Sequence, residues 1–302
     1  MQSNKEAHEI AHLYVDGALS RRELIRRARQ MAGGVAAVSA ALNAMGTPLQ
    51  AQQVAPLCAE DLRVPEDAVD IYQEDVQFPG EESVLLGYWA SPVPAPSGPL
   101  PTVLVIHENR GLNEHIRDVT RRVARAGFNA LGIDLLSRLG GTAQFTDPQQ
   151  QTAAYGRTTP AQRLSDLRKA IEYLRTLPEV RHDRIGSVGF CAGGANVWLL
   201  GTSGETMAAN VVYYGAPVPV DQITNLTGPI LCHYAERDRN LTTNSAPVIP
   251  ELIRLNKTFG YFVWEGAGHA FNNDTGAAYN ATAACEAWTK TIDFFKRHLN
   301  KE

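Results

Sequence analysis

The stretch that most constrains the fold is Gly189-Phe190-Cys191-Ala192-Gly193. Residues 184–188 before it read as a short buried strand, and residues 194–200 after it read as a helix. Strand, Gly-x-Cys-x-Gly and helix is the layout of a nucleophile elbow, with cysteine where serine is usual. Such a turn forces its central residue into a strained backbone conformation, and the flanking glycines let strand and helix pass close together. The side chain then stands clear of the sheet, and the next N–H points toward a developing oxyanion. The pentapeptide alone also suits a buried cysteine packed between glycines, since free cysteine is among the most buried residue types. The rest of the chain has to separate the two readings.

The 302 residues are enough for one large domain or two small ones. Strands alternate with helices from residue 69 onward, which argues for one α/β domain, residues 69–302, with a mostly parallel sheet. Strands are expected at 69–78, 83–90, 102–107, 128–134, 184–188, 210–214, 229–234 and 259–264. Helices are expected at 116–126, 160–177, 194–200, 249–257 and 277–299, and a long polar loop at 137–159. Residues 56–68 read as a linker. Residues 1–55 differ from the rest: 7–19 is helical in pattern, and Ser20-Arg21-Arg22-Glu23-Leu24-Ile25-Arg26 resembles a twin-arginine export motif. The Ala/Gly-rich stretch 31–49 and Leu49-Gln50-Ala51 fit the rest of such a signal. An amphipathic hairpin packing on the domain is the other reading, so both a cytoplasmic and a periplasmic location stay open.

Bulk properties exclude several classes. A net charge of −4 gives no reason to expect nucleic-acid or anionic-membrane binding. No apolar run reaches the roughly 18 residues that span a bilayer. Four scattered cysteines, Cys58, Cys191, Cys232 and Cys285, suit neither a disulfide framework nor a zinc site. No metal or cofactor is expected, and a monomer is the default. Cys232 and Cys285 read as buried thiols, Trp198 and Trp288 as core.

In parallel sheets chemistry collects at the carboxyl ends of the strands. Glu108, Cys191, Asp238 and His269 all fall at such ends, and nucleophile, acid, histidine is the chain order of an α/β-hydrolase. In this reading the Cys191 thiolate attacks an ester carbonyl, His269 carries the proton, and Asp238 fixes the imidazole tautomer. The N–H groups of Asn109 and Ala192 form the oxyanion hole. Asp134 is an alternative acid that the chain order ranks second. His107 orients the loop after its strand, and His233 is a packed, hydrogen-bonded neighbour.

Three motifs, His107-Glu108-Asn109-Arg110-Gly111-Leu112-Asn113, the 189–193 elbow and Gly266-Ala267-Gly268-His269-Ala270-Phe271, resemble the dienelactone hydrolase (carboxymethylenebutenolidase-like) family over residues 69–299. The resemblance implies an α/β-hydrolase fold and a Cys191-His269-Asp238 triad. It also implies that Glu108 contacts the resting cysteine and is moved when substrate binds. The expected substrate is a small ester or lactone. The chain departs from the catabolic members, which carry serine and arginine where Ala270 and Asn273 stand. Arg110, Tyr155 and Phe271 are candidate substrate contacts, with Arg138 and Arg157 as further candidate cations. The alternative functions are a non-catalytic small-molecule binding protein on the same scaffold and a thiol redox sensor.

Overall fold

In a computed structural model the chain divides into two units, Met1–Ala59 and Glu60–Glu302. The structure describes residues 62–94 and 98–300, together with Glu9, Ile10, Leu13 and Arg27 of the first unit, which are helical. The twin-arginine-like stretch, the candidate cleavage site and residues 56–61 of the expected linker lie outside the described residues.

The second unit is built on one eight-stranded sheet: β1 (Ile71–Pro79), β2 (Val84–Pro92), β3 (Leu100–Ile106), β4 (Asn129–Asp134), β5 (Val180–Phe190), β6 (Ala209–Tyr213), β7 (Ile230–Ala235) and β8 (Phe259–Trp264). Their spatial order is β1-β2-β4-β3-β5-β6-β7-β8. β1 and β2 form an antiparallel hairpin, and β2 joins β4 antiparallel. Every pairing from β4 to β8 is parallel. The runs of apolar and β-branched residues in β3, β4 and β6 are what a sheet covered on both faces requires.

Side-chain alternation along β3 splits the core. Val103 and Val105 join the cluster containing Ile116, Val119, Trp288 and Phe295, while Leu104 and Ile106 join that containing Leu167, Ile171 and Trp198. The helices over these faces are α1 (Glu114–Arg125), α3 (Pro160–Leu174), α4 (Ala192–Gly201) and α7 (Ala281–Leu299). Local chemistry sets their starts. The Asn113 side chain caps α1, Asn280 caps α7, and Thr159 forms a reciprocal capping box with Gln162 on α3.

The structure adds detail to three expectations. The supposed loop at 137–159 contains α2 (Pro148–Gly156), started by Asp147, whose side chain accepts from the Gln149 N–H at 2.5 Å. The helix expected at 249–257 is present as α6 (Val248–Arg254), and a further short helix not expected there, α5 (Arg239–Ser245), precedes it. Within the expected linker, Val64 is buried, its N–H donates to Asp118 at 2.7 Å and its carbonyl accepts from Arg121 Nε at 2.6 Å. That segment is therefore docked on α1.

Candidate active site

Cys191 sits between β5 and α4 with φ 54° and ψ −114°, a conformation that a residue bearing a Cβ rarely adopts. The surroundings hold it there. A Cβ on Gly189 would lie 2.2 Å from the Gly193 carbonyl oxygen, and one on Gly193 would lie 2.2 Å from that of Ile106. Strand and helix thus meet at a separation that only glycine permits. The Cys191 N–H donates to the Tyr213 carbonyl at 3.0 Å, tying the elbow to the end of β6.

Asp238 and His269 come from the turns after β7 and β8. Those turns are joined by the Arg237 N–H donating to the Ala267 carbonyl at 2.9 Å. Asp238 occupies the N-cap position of α5 but its carboxylate makes no cap bond. It lies instead 2.5 Å from His269 Nδ1. The other ring nitrogen, Nε2, lies 3.0 Å from Cys191 Sγ. The hydrogen bond to Cys191 is the largest influence on His269. With Asp238 adding to it against burial, the imidazolium pKa is raised to about 9. The arrangement can hold a thiolate–imidazolium pair, with a side chain 42% exposed on the histidine and so open to a substrate.

Glu108 is two residues beyond Ile106, which pairs with Gly189, so it occupies the same level of the sheet edge as Cys191. Its carboxylate is buried. It accepts from Asn273 Nδ2 at 2.9 Å and, more weakly, from the Tyr214 hydroxyl at 3.5 Å. Among the described residues it makes no hydrogen bond to Cys191, which differs from the contact implied by the sequence resemblance. His107, fully buried, holds this turn: Nδ1 donates to the Glu108 carbonyl and Nε2 accepts from the Leu135 N–H at 2.9 Å. Burial is the main reason its imidazolium is disfavoured, consistent with a neutral ring in both bonds. The N–H groups of Asn109 and Ala192 donate to no acceptor among the described residues.

Other sequence candidates separate clearly. Tyr155 is half-buried; its hydroxyl accepts from Asn196 Nδ2 on α4 at 2.9 Å, and the Arg163 guanidinium lies 4.6 Å from its ring centroid. Arg110 is exposed. Phe271 is fully buried against Tyr213 and Tyr214, directly after Ala270, which adopts φ 63°. Arg138 is held by Asp166 and Glu82. Asp134 accepts from Thr142 and the Leu136 N–H, closing a loop rather than serving His269. His233 lies in the core against Thr291 and Trp264, and burial lowers its imidazolium pKa to about 3. Trp198 and Trp288 are core residues. Cys232 is a free buried thiol, but Cys285 is disulfide-bonded, a correction to the expectation of a thiol there. Its position in a helix gives no sequence signal of pairing. Tyr214 and Asn273 meet at Glu108, and Asn196 meets Tyr155, only through the tertiary fold, and no sequence pattern marks these contacts. Among the described residues no cluster of His, Cys, Asp and Glu is arranged to hold a metal ion.

A largely parallel sheet with helices on both faces and a strained elbow at its centre defines an α/β-hydrolase. The chain belongs to the dienelactone hydrolase family, whose model it matches over residues 85–299. A protein of Methylorubrum extorquens named "Putative carboxymethylenebutenolidase" is 32% identical over 257 residues, covering 81% of this chain and 87% of that one. The crystal structure titled "Putative Dienelactone Hydrolase" from Klebsiella pneumoniae superposes with a TM-score of 0.69 at 28% identity, covering 75% of this chain and 99% of that chain. A dienelactone hydrolase-like promiscuous phosphotriesterase from metagenomic libraries superposes with a TM-score of 0.68 at 25% identity, covering 76% and 99%.

Proposed function

We propose that this chain hydrolyses small uncharged esters or lactones through an acyl-enzyme on Cys191. The observation that carries the reading is the series of contacts from Cys191 Sγ to His269 Nε2 at 3.0 Å and from His269 Nδ1 to Asp238 at 2.5 Å, set on a strained elbow. The thiolate attacks the carbonyl carbon, and the carbonyl electrons move onto oxygen, where the Ala192 and Asn109 N–H groups stabilise them. The intermediate collapses, the C–O bond breaks, and His269 Nε2 gives its proton to the departing alkoxide. Neutral His269 then takes a proton from water, hydroxide attacks the thioester, and the thiolate leaves as the imidazolium is restored. Asp238 stabilises the charged ring and fixes its tautomer.

The uncharged acyl group is argued from the site. Asn273 places a neutral amide beside Glu108, Ala270 offers no side-chain donor, and Arg138 is engaged by Asp166 and Glu82. A short-chain aryl ester should therefore be turned over faster than a carboxylated dienelactone at equal concentration. Cys191→Ala should lower ester turnover by ~10³-fold or more, and iodoacetamide should inactivate the protein, with substrate protecting. Full turnover by Cys191→Ala overturns the reading. Tight ligand binding without turnover across an ester and lactone panel would favour a binding protein instead.

A further inference from the structure

Glu108 and Cys191 share one level of the sheet edge, and a carboxylate there is a natural acceptor for a thiol proton. The same buried carboxylate needs donors wherever it points, because an unpartnered buried charge is costly. Its main donor is Asn273 Nδ2 at 2.9 Å. The amide cannot turn over freely: Asn273 Oδ1 accepts from the Thr275 N–H at 3.0 Å and from the Thr275 hydroxyl at 2.7 Å. Reversing it would set oxygen against the carboxylate and the NH₂ against two donors. Asn273 is itself buried, and its N–H donates to the Ala270 carbonyl at 2.9 Å, so the donor sits on the turn that also carries His269. The Tyr214 hydroxyl is a second, longer donor at 3.5 Å, and its ring lies 5.1 Å from that of His269.

We propose that Asn273 is a positioning residue that holds Glu108 away from the thiol, so that the Cys191–His269 pair is already formed in the free protein and needs no substrate to release it. The inference rests on the proposed function for its purpose but concerns thiol reactivity alone. One proton is at issue. With Glu108 tied to Asn273, the thiol proton resides on His269 Nε2. With Glu108 released, a protonated thiol can donate to the carboxylate, and the sulfur is no longer nucleophilic. A neutral amide suits this role, because it binds the carboxylate without lending a cation to substrate.

The test is the alkylation rate of the full chain by iodoacetamide with no substrate present, the label located at Cys191 by mass spectrometry. Cys232 is 1% exposed and Cys285 is disulfide-bonded, so neither competes among the described cysteines. A primed thiol is alkylated at neutral pH faster than free cysteine under the same conditions. A rate no faster than that of free cysteine overturns the proposal. Asn273→Leu should slow alkylation by ~10-fold or more at neutral pH, and Asn273→Leu with Glu108→Gln should recover most of the wild-type rate, because a neutral amide is a much weaker acceptor for the thiol than a carboxylate. A wild-type rate in Asn273→Leu overturns the proposal, as does a slow rate that Glu108→Gln does not relieve, which is the signature of a merely structural role. Ester turnover measured on the same samples separates the two claims. Turnover by Cys191→Ala would sink the hydrolase mechanism while leaving the alkylation comparison intact.

Discussion

His269 is the residue on which the proposed chemistry turns. Its proton is held chiefly by the hydrogen bond to Cys191, with Asp238 adding to it against burial, to a pKa of about 9. The ring is therefore charged through the neutral range, and in the proposed mechanism it donates to the leaving group only while it stays so. The ester kcat/KM should fall as pH rises through about 9, an effect a pH–rate profile reads directly. The same shift bears on stability. The folded-state value lies above the usual histidine value of about 6.5, so the contribution is complete below that pH and disappears as pH rises through about 9. With a side chain 42% exposed the contribution is small. The difference in Tm between wild type and His269→Ala should nonetheless be larger at about pH 6 than at about pH 10. That Cys191, Asp238 and His269 come together could be anticipated from the sequence because each follows a strand with a strong apolar pattern. Asn273 could be numbered but not interpreted there, since its partner Glu108 lies 165 positions away. Phe271 is a related case: the left-handed backbone at Ala270 has no sequence marker, so the burial of Phe271 against Tyr213 and Tyr214 comes only from the fold.

At the scale of elements, the elbow works because β3, β5 and α4 approach more closely than side chains allow. A methyl at Gly193 would meet the Ile106 and His107 carbonyl oxygens at 2.2 and 2.5 Å, and both belong to backbone that is itself committed. Gly193→Ala should cost about 3 kcal/mol, read as a lowered denaturant midpoint, and should lower activity by displacing the Ala192 N–H. Gly156, at the end of α2, is the contrasting case, since a methyl there meets nothing within 4 Å. Gly156→Ala should stabilise by about 0.5 kcal/mol through the entropy of the unfolded chain. The contrast also explains what could be read of the elements. The central strands announce themselves by unbroken apolar and β-branched runs, and α3 by its spaced leucines. α2 has one buried residue, Ala154, and no apolar stripe, so its only sequence signal is the cap and proline at Asp147-Pro148.

Across the whole second unit, Asp274 joins parts of the chain that are far apart in sequence. It pairs with Arg122 at 2.6 Å and His115 at 3.2 Å, both on α1, and with Arg63 at 2.9 Å in the segment ahead of β1. Arg122 also meets Asp118, so a buried cation is served by two carboxylates. Burial by itself would raise the Asp274 pKa; the His115 hydrogen bond and the Arg122 and Arg63 partners outweigh it and hold the carboxylate well below the usual range. Its stabilising effect is therefore present above the unfolded value of about 3.9 and is lost as pH falls below that toward the folded value. Asp274→Asn removes the charge and leaves Arg122 with Asp118 alone, which should cost about 3 kcal/mol at neutral pH. That is a large part of a stability of roughly 5–15 kcal/mol. The gap between wild type and variant should narrow as pH is lowered from about 5 toward about 2, because the unfolded wild-type chain then takes up a proton that the folded Asp274 resists. Asp274 also follows Asn273 directly, on the turn that begins at His269. If the ion pairs anchor that turn, Asp274→Asn should slow alkylation of Cys191 as well as lower the denaturant midpoint. A variant destabilised by the full amount but alkylated at the wild-type rate would show that the Asn273–Glu108 contact holds its geometry without the cluster beneath it.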